Sequence, residues 1–210
     1  MKESLFIVVS LLIICTARAQ ENFQSVKIGN QIWMQKNLDV TTYRNGDTIP
    51  MVSDNTQWQK LTTGAWCYYL NDSATYAATY GKLYNWYAVM DPRGLAPTGW
   101  HIPNNAEWNV LVNWLGRVSI AGGKMKETGT THWLTPNIDA TNSSGFTGLP
   151  GGYRYYNGKF FDMEASGNWW STSAPTTTDA WAYGLSFESG EVGTDGAYNR
   201  SGFSVRCIRD

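Results

Sequence analysis

The chain has 210 residues, of which 16% are charged and 14% aromatic, with 21 glycines and a net charge of −1 at pH 7. So little net charge does not point to a polyanion partner, nucleic acid included, and so many aromatics argue against disorder for most of the chain. The length suits one domain with an ample core, and the glycine and aromatic content points to turn-rich β structure.

Residues 1–19 read as a secretory leader. Lys2 gives a basic start, Leu5 to Cys15 an apolar run, and Ala17-Arg18-Ala19 a small-x-small cleavage site. The run is shorter than the ~20 residues a membrane-spanning helix needs, and no later segment is both long and apolar enough. The expected product is a single domain over 20–210, secreted or displayed on the outer cell surface, with no transmembrane segment. Lipid anchoring at Cys15 is the less favoured route, because Ile14 stands where a lipoprotein signal places a small residue.

Cleavage leaves Cys67 and Cys207 in an oxidising compartment, where they are expected to form a disulfide. That bridge closes a very long loop, worth on the order of 4–5 kcal/mol. A redox-active or metal-binding pair is the alternative. Neither cysteine has a CxxC partner, and His101 and His132 are the only imidazoles, so no metal and no cofactor is expected.

Along the chain, Val26–Ile28 and Gln31–Met34 flank Gly29-Asn30 as a hairpin. Asn45-Gly46 marks a turn, Asp54 caps a helical turn over 57–61, and Ala65–Leu70 reads as a short strand. From Gly81, the spacing of Leu83, Trp86, Tyr87 and Met90 predicts a helix ended by Asp91-Pro92. A second helix starts at Asn104, with Glu107 three residues on, and presents Trp108, Leu111, Val112 and Leu115 up to Gly116. The second half is β-rich: a type I′ hairpin over 153–161 around Asn157-Gly158, then strands at 169–172, 181–187 and 203–208, with Ser189-Gly190 as a turn. Helices first and strands later give an α+β class. Burial is the default for the 11 tryptophans and 12 tyrosines, although a sugar-stacking surface would use the same residues.

Gly81-Lys-Leu-Tyr-Asn-Trp-Tyr-Ala-Val89, Ala96-Pro-Thr-Gly-Trp-His-Ile-Pro103, Glu107-Trp108, Gly145-Phe146, Pro150-Gly-Gly-Tyr-Arg154 and Gly202 to Arg209 together resemble the Fibrobacter succinogenes major paralogous domain. The segment Ile102-Pro103 to Glu107-Trp108 is also similar to a helix start of formylglycine-generating, sulfatase-modifying enzymes. The resemblance implies a C-type-lectin-like fold, with two helices flanking a twisted antiparallel sheet and the first and last strands paired. Membership itself would carry little function beyond secretion or surface display; the preferred reading is a non-catalytic extracellular module that binds a glycan or protein ligand near its C-terminal strands and loops. On that region Trp181, Tyr183, Asp195, Tyr198, Asn199 and Arg200 are the candidate ligand-binding residues, rigid aromatics among adaptable polar groups.

The loop and triplet motifs of calcium-dependent sugar binding are missing, which argues against that mechanism. Two alternatives stand beside binding: a relative of the copper- and thiol-dependent formylglycine-generating oxidases, and a purely structural surface protein. Glu188 and Glu191 bracket a turn at a spacing that suits a glycosidase pair, but two acidic residues beside Ser189-Gly190 are more often a solvated loop.

Overall fold

The computed structural model describes residues 23–210; the leader over 1–19 and Cys15 lie outside them. Strands β1 (Ser25–Ile28) and β2 (Gln31–Met34) form the expected opening hairpin, with Gly29 at φ +61°. Helix α1 (Asn55–Gln59) starts at Asp54, whose carboxylate accepts the Gln57 N–H at 2.8 Å. Strand β3 (Trp66–Cys67) is shorter than expected and gives way to a 3-10 turn at Tyr69–Asn71.

The helix expected from Gly81 is replaced by other elements. Helix α2 (Ser73–Tyr80), capped by Asp72, ends at Gly81, and the chain then forms strand β4 (Leu83–Asn85) and a single helical turn, α3 (Trp86–Val89). The apolar spacing that suggested a helix joins residues of two elements. β4 is buried throughout because it lies inside a sheet, where a fully apolar run is indistinguishable from a buried helical one. Asn85 fixes the junction: its side-chain oxygen accepts the N–H groups of Ala65 and Ala88, and its amide donates to Thr63.

After β5 (Trp100–His101), helix α4 (Asn105–Trp114) opens with the expected capping box. The Asn104 side chain accepts the Glu107 N–H at 3.0 Å, and the Glu107 carboxylate accepts the Asn104 N–H at 2.9 Å. Helix α5 (Val118–Met125) was not anticipated, because Gly122-Gly123 reads as a breaker. Its glycines serve close approach: a Cβ at Gly122 would stand 2.2 Å from the Glu191 carbonyl, and one at Gly123 2.4 Å from that of Asp139.

Strands β6 (Gly151–Arg154) and β7 (Phe160–Met163) form the second expected hairpin, with a different turn. The Gly158 N–H donates to the Tyr155 carbonyl at 2.9 Å, and Gly158 (φ +85°) rather than Asn157 takes the positive φ. A type I turn followed by a left-handed glycine fits this geometry; a type I′ turn does not. Then come β8 (Ser166–Trp170), β9 (Asp179–Ser186), β10 (Gly193–Tyr198), β11 (Gly202–Phe203) and β12 (Ile208–Arg209).

The class is α+β, with two sheets among the described residues. One runs β1-β2-β12-β5; the other runs β10-β9-β8-β6-β11-β4-β3, with β7 on β6. Pairing is antiparallel except where β6 meets β8 at Gly152–Gly167. The last strand joins the opening hairpin through Ile208 and Trp33. The expected single strand 203–208 is split between the sheets: β11 lies in one, β12 in the other. Between them Ser204 exchanges backbone bonds with β8, while the Val205 and Cys207 carbonyls accept Leu38 N–H and Met34 N–H.

Strands β8 and β9 feed two cores. Trp169, Tyr183 and Leu185 join Trp33, Trp108 and Phe146, while Trp170, Ala180 and Ala182 join Tyr84, Trp100 and Phe203. Buried cations tie loops to this frame. The Arg206 guanidinium, 1% exposed, donates to the Met34 and Phe146 carbonyls and to the Asn37 side-chain oxygen. Arg154 donates to the Val52, Ser53 and Gly158 carbonyls and stacks 4.3 Å above Trp58. Lys126 donates to the Ile138, Ser186 and Ser189 carbonyls at 2.7–2.8 Å. Burial lowers Arg206 to about 9 and Lys126 to about 8.

The expected Cys67–Cys207 disulfide is not made. Both are free, buried thiols in separate clusters: Cys67 lies with Trp58, Tyr69 and Leu83, and Cys207 with Trp100 and Val205. Burial pushes both up to about 12. No helix among the described residues is long and apolar enough to cross a membrane.

Candidate functional site

Side-chain alternation along β9 creates a depression. Trp181, Tyr183 and Leu185 point to one face and Ala180, Ala182, Gly184 and Ser186 to the other. Register carries the small face across the ribbon, from Asn168 on β8 through Gly184 to Gly193 on β10, and from Trp170 through Ala182 to Asp195. Trp170 and Ala182 are covered by the core, whereas β10 is an edge strand exposed over most of its length. A floor of Ala, Gly, Ser and Asn beside a tall second hairpin leaves an open groove.

That groove has a volume of about 680 Å³ and runs between β9–β10 on one side and β6–β7 on the other. Tyr153, Tyr155 and Tyr198 supply aromatic surface, and Phe203 closes the floor. The Tyr198 ring lies 6.1 Å from Tyr155 and 4.4 Å from Tyr156, edge to face, joining the two hairpins at one end. Burial, helped by the Asp162 charge and the neighbouring phenols of Tyr155 and Tyr69, raises the Tyr153 phenol, so it stays a neutral donor at pH 7.

Asp162, Glu191 and Asp195 bring three carboxylates to the lining, and among the described residues no Lys, Arg or His lines the groove. None of the three belongs to an ion pair among the described residues. One Asp195 oxygen accepts the Gly196 N–H at 2.9 Å. Ser201, 1% exposed, also lines the groove, and its hydroxyl has no hydrogen-bond partner. An orphaned buried hydroxyl costs about 1–3 kcal/mol relative to a bonded one.

Of the six residues singled out in the sequence, Asp195 and Tyr198 line this groove. Tyr183 is 3% exposed and stacks on Trp108 at 4.7 Å with an interplanar angle of 13°. Trp181 is half-buried on that same face. The buried Asn199 donates to the Thr177 carbonyl and accepts the Trp86 N–H on its own carbonyl. Arg200 donates to the Gln59 carbonyl, and its own carbonyl accepts the Trp58 indole N–H. Tyr183, Asn199 and Arg200 therefore hold loops and core together, and Trp181 lies outside the groove lining. Glu191 lines the groove, while Glu188 is exposed on the turn outside the lining.

The sequence reading missed Tyr153, Tyr155, Asp162 and Ser201. The alternation of Tyr153 and Tyr155 signalled a shared face, but only the placement of β6–β7 against β9–β10 shows what that face lines. Among the described residues, no three His, Cys, Asp or Glu side chains are grouped to hold a metal ion.

A family model described as the Fibrobacter succinogenes major domain matches residues 26–209. No curated protein matches the chain.

Proposed function

The chain belongs to the Fibrobacter succinogenes major domain family, and we propose that it is an exported, non-catalytic module that binds a glycan or protein ligand outside the cell. The observation that carries this reading is the groove, with its three tyrosines and unpaired carboxylates between two hairpins. Concave sites that mix aromatic surface with a few convergent polar groups are where ligands bind. Export rests on the leader over 1–19, and the C-type-lectin-like fold expected from the sequence would put recognition on strands and loops before the C-terminus.

The alternatives gain less support. A thiol-dependent oxidase needs accessible thiols of lowered pKa, and burial pushes Cys67 and Cys207 the other way. A purely structural surface role has no use for a concave site with an orphaned hydroxyl.

The test is a binding screen of residues 20–210 against glycan and surface-protein arrays, in parallel with the Tyr155→Ala, Tyr198→Ala double variant. Wild type binds at least one class, and the double variant binds it at least about tenfold more weakly, as for paired aromatic anchors. Equal binding by both proteins removes the groove from the reading.

A further inference from the structure

Resting on the groove as the ligand site, we infer that its ligand is a polypeptide segment in extended conformation that carries lysine or arginine side chains. The charge pattern comes first. Three carboxylates stand at different places along the groove: Asp162 on β7, Asp195 on β10, and Glu191 at the turn that joins β9 to β10. Elsewhere among the described residues, Asp39, Asp91 and Glu107 are matched by Lys82, Arg93 and His101, while Glu164, Asp179 and Glu188 stand singly without an ion pair; the groove differs in gathering three such carboxylates around one concave surface. Here, among the described residues, no basic side chain enters the lining, so the compensating charge is left to the ligand.

The tyrosines agree with this sign. Phenol faces attract ammonium and guanidinium groups and pack against their aliphatic stems. The molecule uses the same pairing internally, with Arg154 over Trp58 and Arg206 over Phe146. In the groove, Tyr153, Tyr155 and Tyr198 have no cation of their own.

The orphaned Ser201 hydroxyl is independent of charge. It is a buried polar group beside the lining that lacks a partner within the protein, an unmet hydrogen bond next to the groove.

The edge strand favours a polypeptide over an amino sugar. β10 pairs with β9 alone, and Gly193 and Gly196 carry no side chain to shield its backbone. Its six residues span roughly 20 Å, the length of an extended segment of about six residues. Such a segment brings backbone donors and acceptors to an open edge and places alternate side chains on the groove face beside Asp195.

The test uses residues 20–210 and a fluorescently labelled peptide, (Lys-Thr)3, with its lysine-acetylated form, (Glu-Thr)3, a glucosamine hexamer and a neutral cello-oligosaccharide as companions. Binding is read by fluorescence anisotropy at low and high salt. The inference expects (Lys-Thr)3 to bind, to weaken roughly tenfold or more on acetylation or on Asp162→Asn with Asp195→Asn, and to weaken at high salt. (Glu-Thr)3 does not bind. Thermal melts of the variants match wild type, which separates lost binding from lost folding.

Equal binding of the lysine and acetyl-lysine peptides overturns the charge assignment. Glucosamine hexamer binding without peptide binding overturns the polypeptide. Binding of the neutral oligosaccharide alone, abolished by Tyr155→Ala with Tyr198→Ala, overturns this inference and leaves the groove as a ligand site. Absence of binding by every probe overturns the inference, and a blank array screen then removes the groove reading as well.

Discussion

The ribbon β8–β9–β10 has two faces that use the same backbone for opposite ends. One presents Trp169, Tyr183 and Leu185 to a core shared with α4, where Tyr183 stacks on Trp108 and Arg206 lies 5.8 Å over Trp169. The other presents Asn168, Gly184, Gly193 and Asp195 to an open groove. Period-2 alternation makes the division, because neighbouring residues on a strand cannot share a face. Large aromatics of this ribbon therefore stabilise, and the aromatic surface available for recognition comes from the adjacent hairpin and from the end of β10.

The sharpest way to break that comparison is Trp108→Ala. It removes a fully buried ring from the inner face and should cost about 3–5 kcal/mol of unfolding free energy, read from the denaturant midpoint. A loss below about 1 kcal/mol would mean that the inner face is not the main support. Next is Arg206→Met, which keeps apolar bulk but leaves the Met34 and Phe146 carbonyls without their donor. A loss of about 2–3 kcal/mol is expected, and an unchanged midpoint would show that water replaces the guanidinium without cost.

A smaller effect comes from the latch that holds α4 over the inner face. His101 bonds Asp210 at 2.7 Å and Glu107 of α4 at 2.8 Å. Partial burial opposes its charge, but the hydrogen bonds to Glu107 and Asp210 prevail and raise its pKa. A pKa raised by folding contributes stability that is fully present below the unfolded value, about 6.5. That contribution is lost as pH rises through the folded value. Melting temperature should thus fall modestly from pH 6 towards pH 8 in wild type and less in His101→Gln; identical slopes would remove the latch.

The smallest expected effect lies on the open face. Asp195→Asn should change stability by under about 0.5 kcal/mol and Tyr198→Ala, which loses its contacts to Tyr155 and Tyr156, by about 1 kcal/mol, while both are expected to weaken ligand binding. A large stability loss at either position would mean that the two faces are not divided as described.

Much of the frame was legible where local chemistry decides. The Asn104–Glu107 capping box, the Gly29-Asn30 turn and the Asp54 cap depend on residues within a few positions of one another, and each forms. The stretch 81–90 was misread because burial between β11 and β3, a long-range fact, makes Leu83–Asn85 a strand. Helix α5 was hidden because its glycines answer to the carbonyls of Glu191 and Asp139, far along the chain. The site divides in the same way. Asp195 and Tyr198 were within reach of composition, while Tyr153, Tyr155 and Ser201 depend on how two hairpins meet. Tyr183 looked like Tyr198 in sequence and differs only in what its face is packed against.

The split of the last strand bears on how the molecule comes together. Residues 202–209 complete both sheets, and Arg206 bonds Met34 across 172 positions of sequence. Contacts so distant form only after a long loop has closed, which slows folding towards the millisecond-to-second range. Neither sheet can be finished from one portion of the chain, so a fragment ending before residue 202 leaves β2 and β5 without the strand that lies between them. Removal of residues 202–210 should therefore loosen both sheets at once rather than fray one edge.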